Sequence, residues 1–189
     1  MHISLKYLSA LGAFAAVTVI ALVAESAEEV PQNKYAVKVD GGLAFSEIKG
    51  FEGWQAVSVS HSEKLIAVIV ANPIAIEAYK SGIPANGKSF PDGAKIAKIH
   101  WNPKMNSYFP VTSIPGTLHD IDFMEKDANK FSESGGWGYA MFKYDDASAT
   151  FTPQTLADQP PQGKDAKCGL ACHSIAKATD YVFTEYGKR

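Results

Sequence analysis

The sequence predicts an α+β domain, mostly antiparallel β-sheet with a few short helices. Two observations carry that prediction. Apolar or alternating runs of strand length recur along the chain, bounded by Gly, Pro, Asn and Asp. The helical stretches between them are short, and no internal repeat is present.

Residues 1–27 read as a secretory signal peptide. Lys6 precedes an uncharged run from Tyr7 to Ala24, and cleavage after Ser26 sets Ala24 and Ser26 at the small-residue positions. An uncleaved N-terminal anchor is the alternative, since the run reaches the length of the shortest membrane spans, about 17 residues. Cleavage implies a periplasmic or secreted protein with no membrane association, in a compartment where thiols oxidise.

Residues 28–53 are a polar, Gly-containing lead-in with one short helix, and residues 54–189 form the main domain. Lys64–Ala71 is a β-branched apolar run suited to a buried strand. Asn72-Pro73 breaks it and opens a short helix over Ile74–Lys80 that stops at Gly82. The segment 83–93 is a loop ending in the turn pair Asp92-Gly93. Ala94–Trp101 alternates, which sets Lys95, Ala97, Ile99 and Trp101 on one face and Ile96, Lys98 and His100 on the other. Asn102–Thr117, with three prolines, reads as a long loop. His119–Glu125 alternates again, with Asp120, Asp122 and Met124 opposed to Ile121 and Phe123. A turn of helix around Ala128–Phe131 leads to an aromatic strand over Gly135–Tyr144, whose glycines indicate close approach by a ligand or another strand. Phe151–Lys167 reads as a linker.

The chain has 18 basic and 20 acidic residues, a net charge of −2. Arg189 is its one arginine. A near-neutral chain without arginine clusters lacks the footprint of nucleic-acid or bidentate phosphate binding.

The two cysteines lie in Cys168-Gly169-Leu170-Ala171-Cys172-His173. Covalent haem attachment uses C-x-x-C-H, in which the thiols hold the porphyrin and the histidine ligates iron. Here the spacer is one residue longer, and Gly169 is the residue to supply a looser turn. A Cys168–Cys172 disulfide in an exported protein is the second reading. Structural zinc is the weakest, because no second ligand pair is present.

The segments VIVANPIAIEAYKSG, FPDGAKIAKI, DFMEKDANKF, SGGWGYAMFKY and CGLACHSIAKATDYVFTEYG, in that order, resemble the cytochrome P-460 family from about Trp54 to the C-terminus. The resemblance implies a periplasmic, mostly antiparallel β protein, a homodimer with one haem c per chain. Members with the full site oxidise hydroxylamine and pass electrons to an external acceptor such as a cytochrome. The related cytochrome c′-β proteins bind nitric oxide without that chemistry. The resemblance further implies that Cys168 and Cys172 tether the haem, that His173 is its iron ligand, that Lys98 matches a lysine cross-linked to the macrocycle, and that Asp122 matches a proton-handling carboxylate. Residue by residue, Lys98 has the alternative of a solvated strand lysine, and Asp122 that of a solvent face. The longer spacer and the missing internal arginine depart from the family pattern. Lys95, Lys98, Lys143 and His100 are the candidate substitute cations, His100 otherwise reading as a surface or edge histidine. Met105, Met124 and Met141 are candidate sixth ligands or simple packing, and His61 and His119 carry no assignment.

Overall fold

The computed structural model describes residues 30–38, 43–154 and 169–189. The signal-peptide segment, the 155–167 part of the expected linker and Cys168 lie outside the described residues. No helix among the described residues is long and apolar enough to cross a membrane.

Six antiparallel strands pair in chain order: β1 (Gln55–His61), β2 (Ile66–Ala71), β3 (Lys95–Met105), β4 (Ser113–Lys126), β5 (Trp137–Asp145) and β6 (Thr150–Gln154). With helix α1 (Pro73–Lys80), the short helix α2 (Leu170–His173) and several 3-10 turns, this is the expected α+β class. Asn72 explains the sharp entry into α1. Its Oδ1 accepts the Ala75 N–H at 3.0 Å and the Lys95 N–H at 3.1 Å, so one buried side chain both caps the helix and ties it to β3.

Three segments differ from the sequence reading. The expected loop 102–117 extends β3 and β4 into a two-stranded arm past the end of their other partners. Pro103 pairs with Pro115 there, next to register shifts. A strand with only one neighbour tolerates a missing N–H, which is why proline did not end these strands. β6 occupies the start of the expected linker, where Phe151 sinks into the core. β1 had no strand signal because only Val57 of its seven residues is buried.

The alternation in β3 and β4 divides the two faces of the sheet. Ala97, Ile99, Ile121, Phe123 and Phe142 point to one side and pack on Leu43, Phe45, Ile48 and Phe51. The lead-in therefore supplies fully buried side chains in 3-10 turns to the same compact unit, residues 31–189. Ile69, Ile96, Met124 and Trp137 point to the other side and meet α1, Phe90 and Val182. Beyond them, that second face is lined by Lys98 and Asp122.

Candidate cofactor cavity

The cavity, of about 470 Å³, lies between the second sheet face and the C-terminal segment 169–184. Lys98 and Asp122 stand opposite each other in the β3–β4 ladder and line it. Cys172 and His173 line it from α2, and Met124, Met141 and Tyr139 add sheet surface. The structure thus brings together four of the five residues singled out as a site.

His173 is held on three sides. Its Nδ1–H is donated to the Tyr181 carbonyl at 2.6 Å, and its ring lies 4.9 Å from Tyr139 and 4.8 Å from Phe183. Burial pushes its pKa down, and the nearby Lys98 charge acts in the same sense against the carbonyl's pull. A neutral imidazole with Nδ1–H committed leaves Nε2 as the ligating atom, the arrangement by which proteins orient histidine ligands.

The carbonyl is aimed by two successive left-handed residues, Asp180 (φ 51°) and Tyr181 (φ 65°). Such backbone is unfavourable for non-glycine residues and persists where surrounding contacts fix it. The contacts here are specific. Asp180 accepts the Phe90 N–H at 2.8 Å and pairs with Lys126 Nζ at 2.8 and 3.0 Å. Lys126 also donates to the Gly135 carbonyl and lies 5.1 Å from the Trp137 ring centroid. A Cβ at Gly135 would sit 2.2 Å from the Tyr181 ring, and one at Gly138 would sit 2.4 Å from the Phe131 ring. The glycines of the aromatic strand thus receive side chains of this same chain. Gly169 also differs from expectation: its backbone is ordinary right-handed helical (φ −91°, ψ −11°), and glycine is needed because a Cβ would meet Tyr139 at 2.6 Å.

Asp122 is the strained member of the site. Burial, and then the charge of Asp120, push its pKa up to about 7. Its Oδ1 is buried without a hydrogen-bond partner among the described residues, while the rest of the side chain, 36 % accessible, borders the cavity. Accessible surface and high pKa are compatible, because that surface faces a concavity walled by Ile69, Ile96 and Met124.

Other candidates fall elsewhere. Lys95 points to the opposite sheet face and pairs with Glu47 and Glu125. Lys143 is exposed, and Arg189 donates to the Ala56 carbonyl and lies over Tyr186. Lys98 is therefore the lysine that lines the cavity among the described residues. Met105 is exposed on the β3–β4 arm, and His61 is exposed on β1. His100 is a buried residue, contrary to the surface reading, because Asp120 supplies an internal partner at 2.5 Å. His100, Asp120 and Asp122 bring ligand-type atoms within 4.8 Å of one another. The 2.5 Å His100–Asp120 separation is a hydrogen bond, shorter than the roughly 3 Å between two ligands on one cation with bonds near 2 Å. Sequence reasoning did not assign Asp180, Lys126, Tyr139 or Phe183. The clue was the Asp180-Tyr-Val-Phe-Thr184 run, in which each of the first four residues has a distinct job.

The residues fit a haem. The cavity volume lies within the range of cofactor sites, about 300–1,000 Å³. A neutral, pre-oriented imidazole sits next to a thiol in its wall, and the remaining lining is largely apolar. No curated protein matches the chain. The family model for cytochrome P460 matches residues 48–184, well over half of the sequence, and the chain belongs to that family of haem proteins.

Proposed function

We propose that the protein is a periplasmic mono-haem c-type cytochrome that oxidises hydroxylamine, with electrons passing to an external acceptor of cytochrome type. The observation that carries this reading is the convergence of Lys98, Asp122, Cys172 and His173 on one cavity. His173 would ligate the iron through Nε2, and Cys172 with Cys168 would hold the porphyrin edge. A haem bound there supplies an iron with an open face for a small nitrogen ligand and a route for its electrons.

The chain's own contribution is proton handling and orientation. Asp122, with a pKa near the working pH, can take a proton from a small ligand in the cavity and release it again, as general acid–base catalysis requires. Its Oδ2 edge is the one available, since Oδ1 is buried. Lys98, its cross-strand partner, occupies the position where the enzymes of the family carry a cross-linked lysine. Tyr139 and Phe183 keep the His173 ring in a single orientation.

The test is intact mass and a visible spectrum of the mature protein, expressed with the periplasmic haem-attachment machinery, alongside Lys98→Ala. The expected result is a haem-sized mass gain, an unusual Soret band that becomes ordinary in Lys98→Ala, and hydroxylamine-dependent reduction of an added acceptor. A haem gain with the same Soret band in both proteins and no turnover would replace the enzyme by a nitric oxide-binding or electron-transfer protein. A two-hydrogen loss without haem would make the cysteine segment a disulfide loop.

A further inference from the structure

Asp122 is the cavity end of a row of four titratable side chains that leads to solvent. β4 carries His119, Asp120 and Asp122, and β3 places His100 opposite Asp120. His100 Nδ1 is 2.5 Å from Asp120 Oδ1 and 3.8 Å from Asp122 Oδ2, so the imidazole lies between two carboxylates. The second oxygen of Asp120 is 2.5 Å from His119 Nδ1. Side-chain exposure is 11 % at His100, 5 % at Asp120 and 39 % at His119, which gives the row a dry middle and a wet end.

The charges along this row are unequal. Burial alone would raise the Asp120 carboxyl, but hydrogen bonds from His100 and then His119 outweigh it and hold the group below the ordinary carboxylate range. Asp120 is thus an ionised carboxylate with an N–H donated to each oxygen. Its charge acts on Asp122, while both imidazoles oppose it. The other titratable groups around Asp122 are Lys98 on β3, Tyr139 on β5, and Cys172 and His173 on the C-terminal wall, with exposed Lys143 of β5 paired opposite Asp120.

We propose that His119, Asp120 and His100 are positioning residues for Asp122: they convey the charge of the exposed His119 imidazole to the cavity and so set the pH at which Asp122 gives up its proton. No proton travels along the row. His119 takes one proton from bulk water and becomes an imidazolium, which offsets the charge of Asp120. The field holding the proton on Asp122 weakens, and Asp122 releases one proton to water in the cavity. No bond between heavy atoms changes. The two titrations oppose each other, so Asp122 ionises over a wider pH range than a lone carboxyl would. The use of this coupling in catalysis rests on the proposed function, whereas its measurement does not.

The experiment is a pH titration by difference infrared spectroscopy of the mature protein as purified, following the protonated-carboxyl band that Asp122→Asn removes. In the unsubstituted protein the band should fade over a broad range centred near pH 7. His119→Gln keeps an N–H donor for Asp120 but never gains charge. Its transition should move up by roughly half a pH unit and narrow to a single-site curve. His61→Gln, which alters an exposed histidine outside the row, should leave the curve unchanged. A His119→Gln curve superimposable on the original, or no Asp122 band at any pH, overturns the coupling. Failure of the haem reading would appear separately, as a missing mass gain, and leaves the titration readable.

Discussion

The Tyr181 carbonyl accepts the Nδ1 proton of His173 at 2.6 Å, and the turn that aims it is tied to the body of the domain by Asp180. Orientation of the ligand histidine therefore depends on a carboxylate that never reaches the cavity lining.

Asp180→Asn tests that dependence. It leaves Lys126, 6 % exposed, as a buried charge without its counter-ion. Removing one partner of a buried pair costs about 3–5 kcal/mol. Urea unfolding should show a loss of that order. The spectrum of the haem-loaded variant should also change, because the Tyr181 carbonyl is no longer fixed.

Asp122→Asn should stabilise the protein at alkaline pH and leave it nearly unchanged under acid conditions. The folded-state pKa of Asp122, about 7, lies above the unfolded aspartate value near 3.9. The folded state therefore binds the proton more tightly, and stability contributed by Asp122 is full below pH 4 and is lost as pH rises through 7. With a third of the side chain accessible, screening reduces the effect to about 1 kcal/mol. Thermal melts at pH 4 and pH 8 check both halves of the statement.

Gly169→Ala should destabilise the C-terminal wall by about 1–3 kcal/mol, since the new methyl meets the Tyr139 ring in a packed region. Gly53→Ala is the matched control: nothing lies within 4 Å of its added Cβ, and its stability change should stay within about 0.5 kcal/mol. Denaturant midpoints of the two variants make the comparison.

Phe45→Ala should cost about 3–5 kcal/mol, the usual range for a fully buried aromatic. Phe45 touches Phe51, Phe142 and Phe151, so the loss opens the core between the lead-in and β5–β6. A variant with unchanged chemical-denaturation behaviour would show the 43–51 segment to be dispensable.

Period-two alternation made the faces of β3 and β4 legible, and with them the placing of Lys98 and Asp122 away from Ile121 and Phe123. The Cys172-His173 pair was legible through its chemistry. β1 and β6 were hidden for different reasons: β1 shows one buried residue, and β6 carries Pro153 inside a segment read as a linker. His100 escaped because a histidine reads as polar until Asp120, twenty positions away, is placed beside it. The support of His173 was beyond local pattern altogether, since Asp180 meets the Phe90 backbone across ninety positions.

Because the sheet follows chain order, each of its five pairings joins strands adjacent in sequence, and their closure entropy is small. The outer wall of the cavity is different, for its ties bridge 90 positions at Phe90–Asp180 and 131 at Gln55–Tyr186. The thiol-bearing tail should accordingly dock late, onto a sheet already formed, and stay open to covalent modification until then. Pulse-labelled hydrogen exchange during refolding would register this sequence as protection of β3–β4 amides ahead of the Val182 amide.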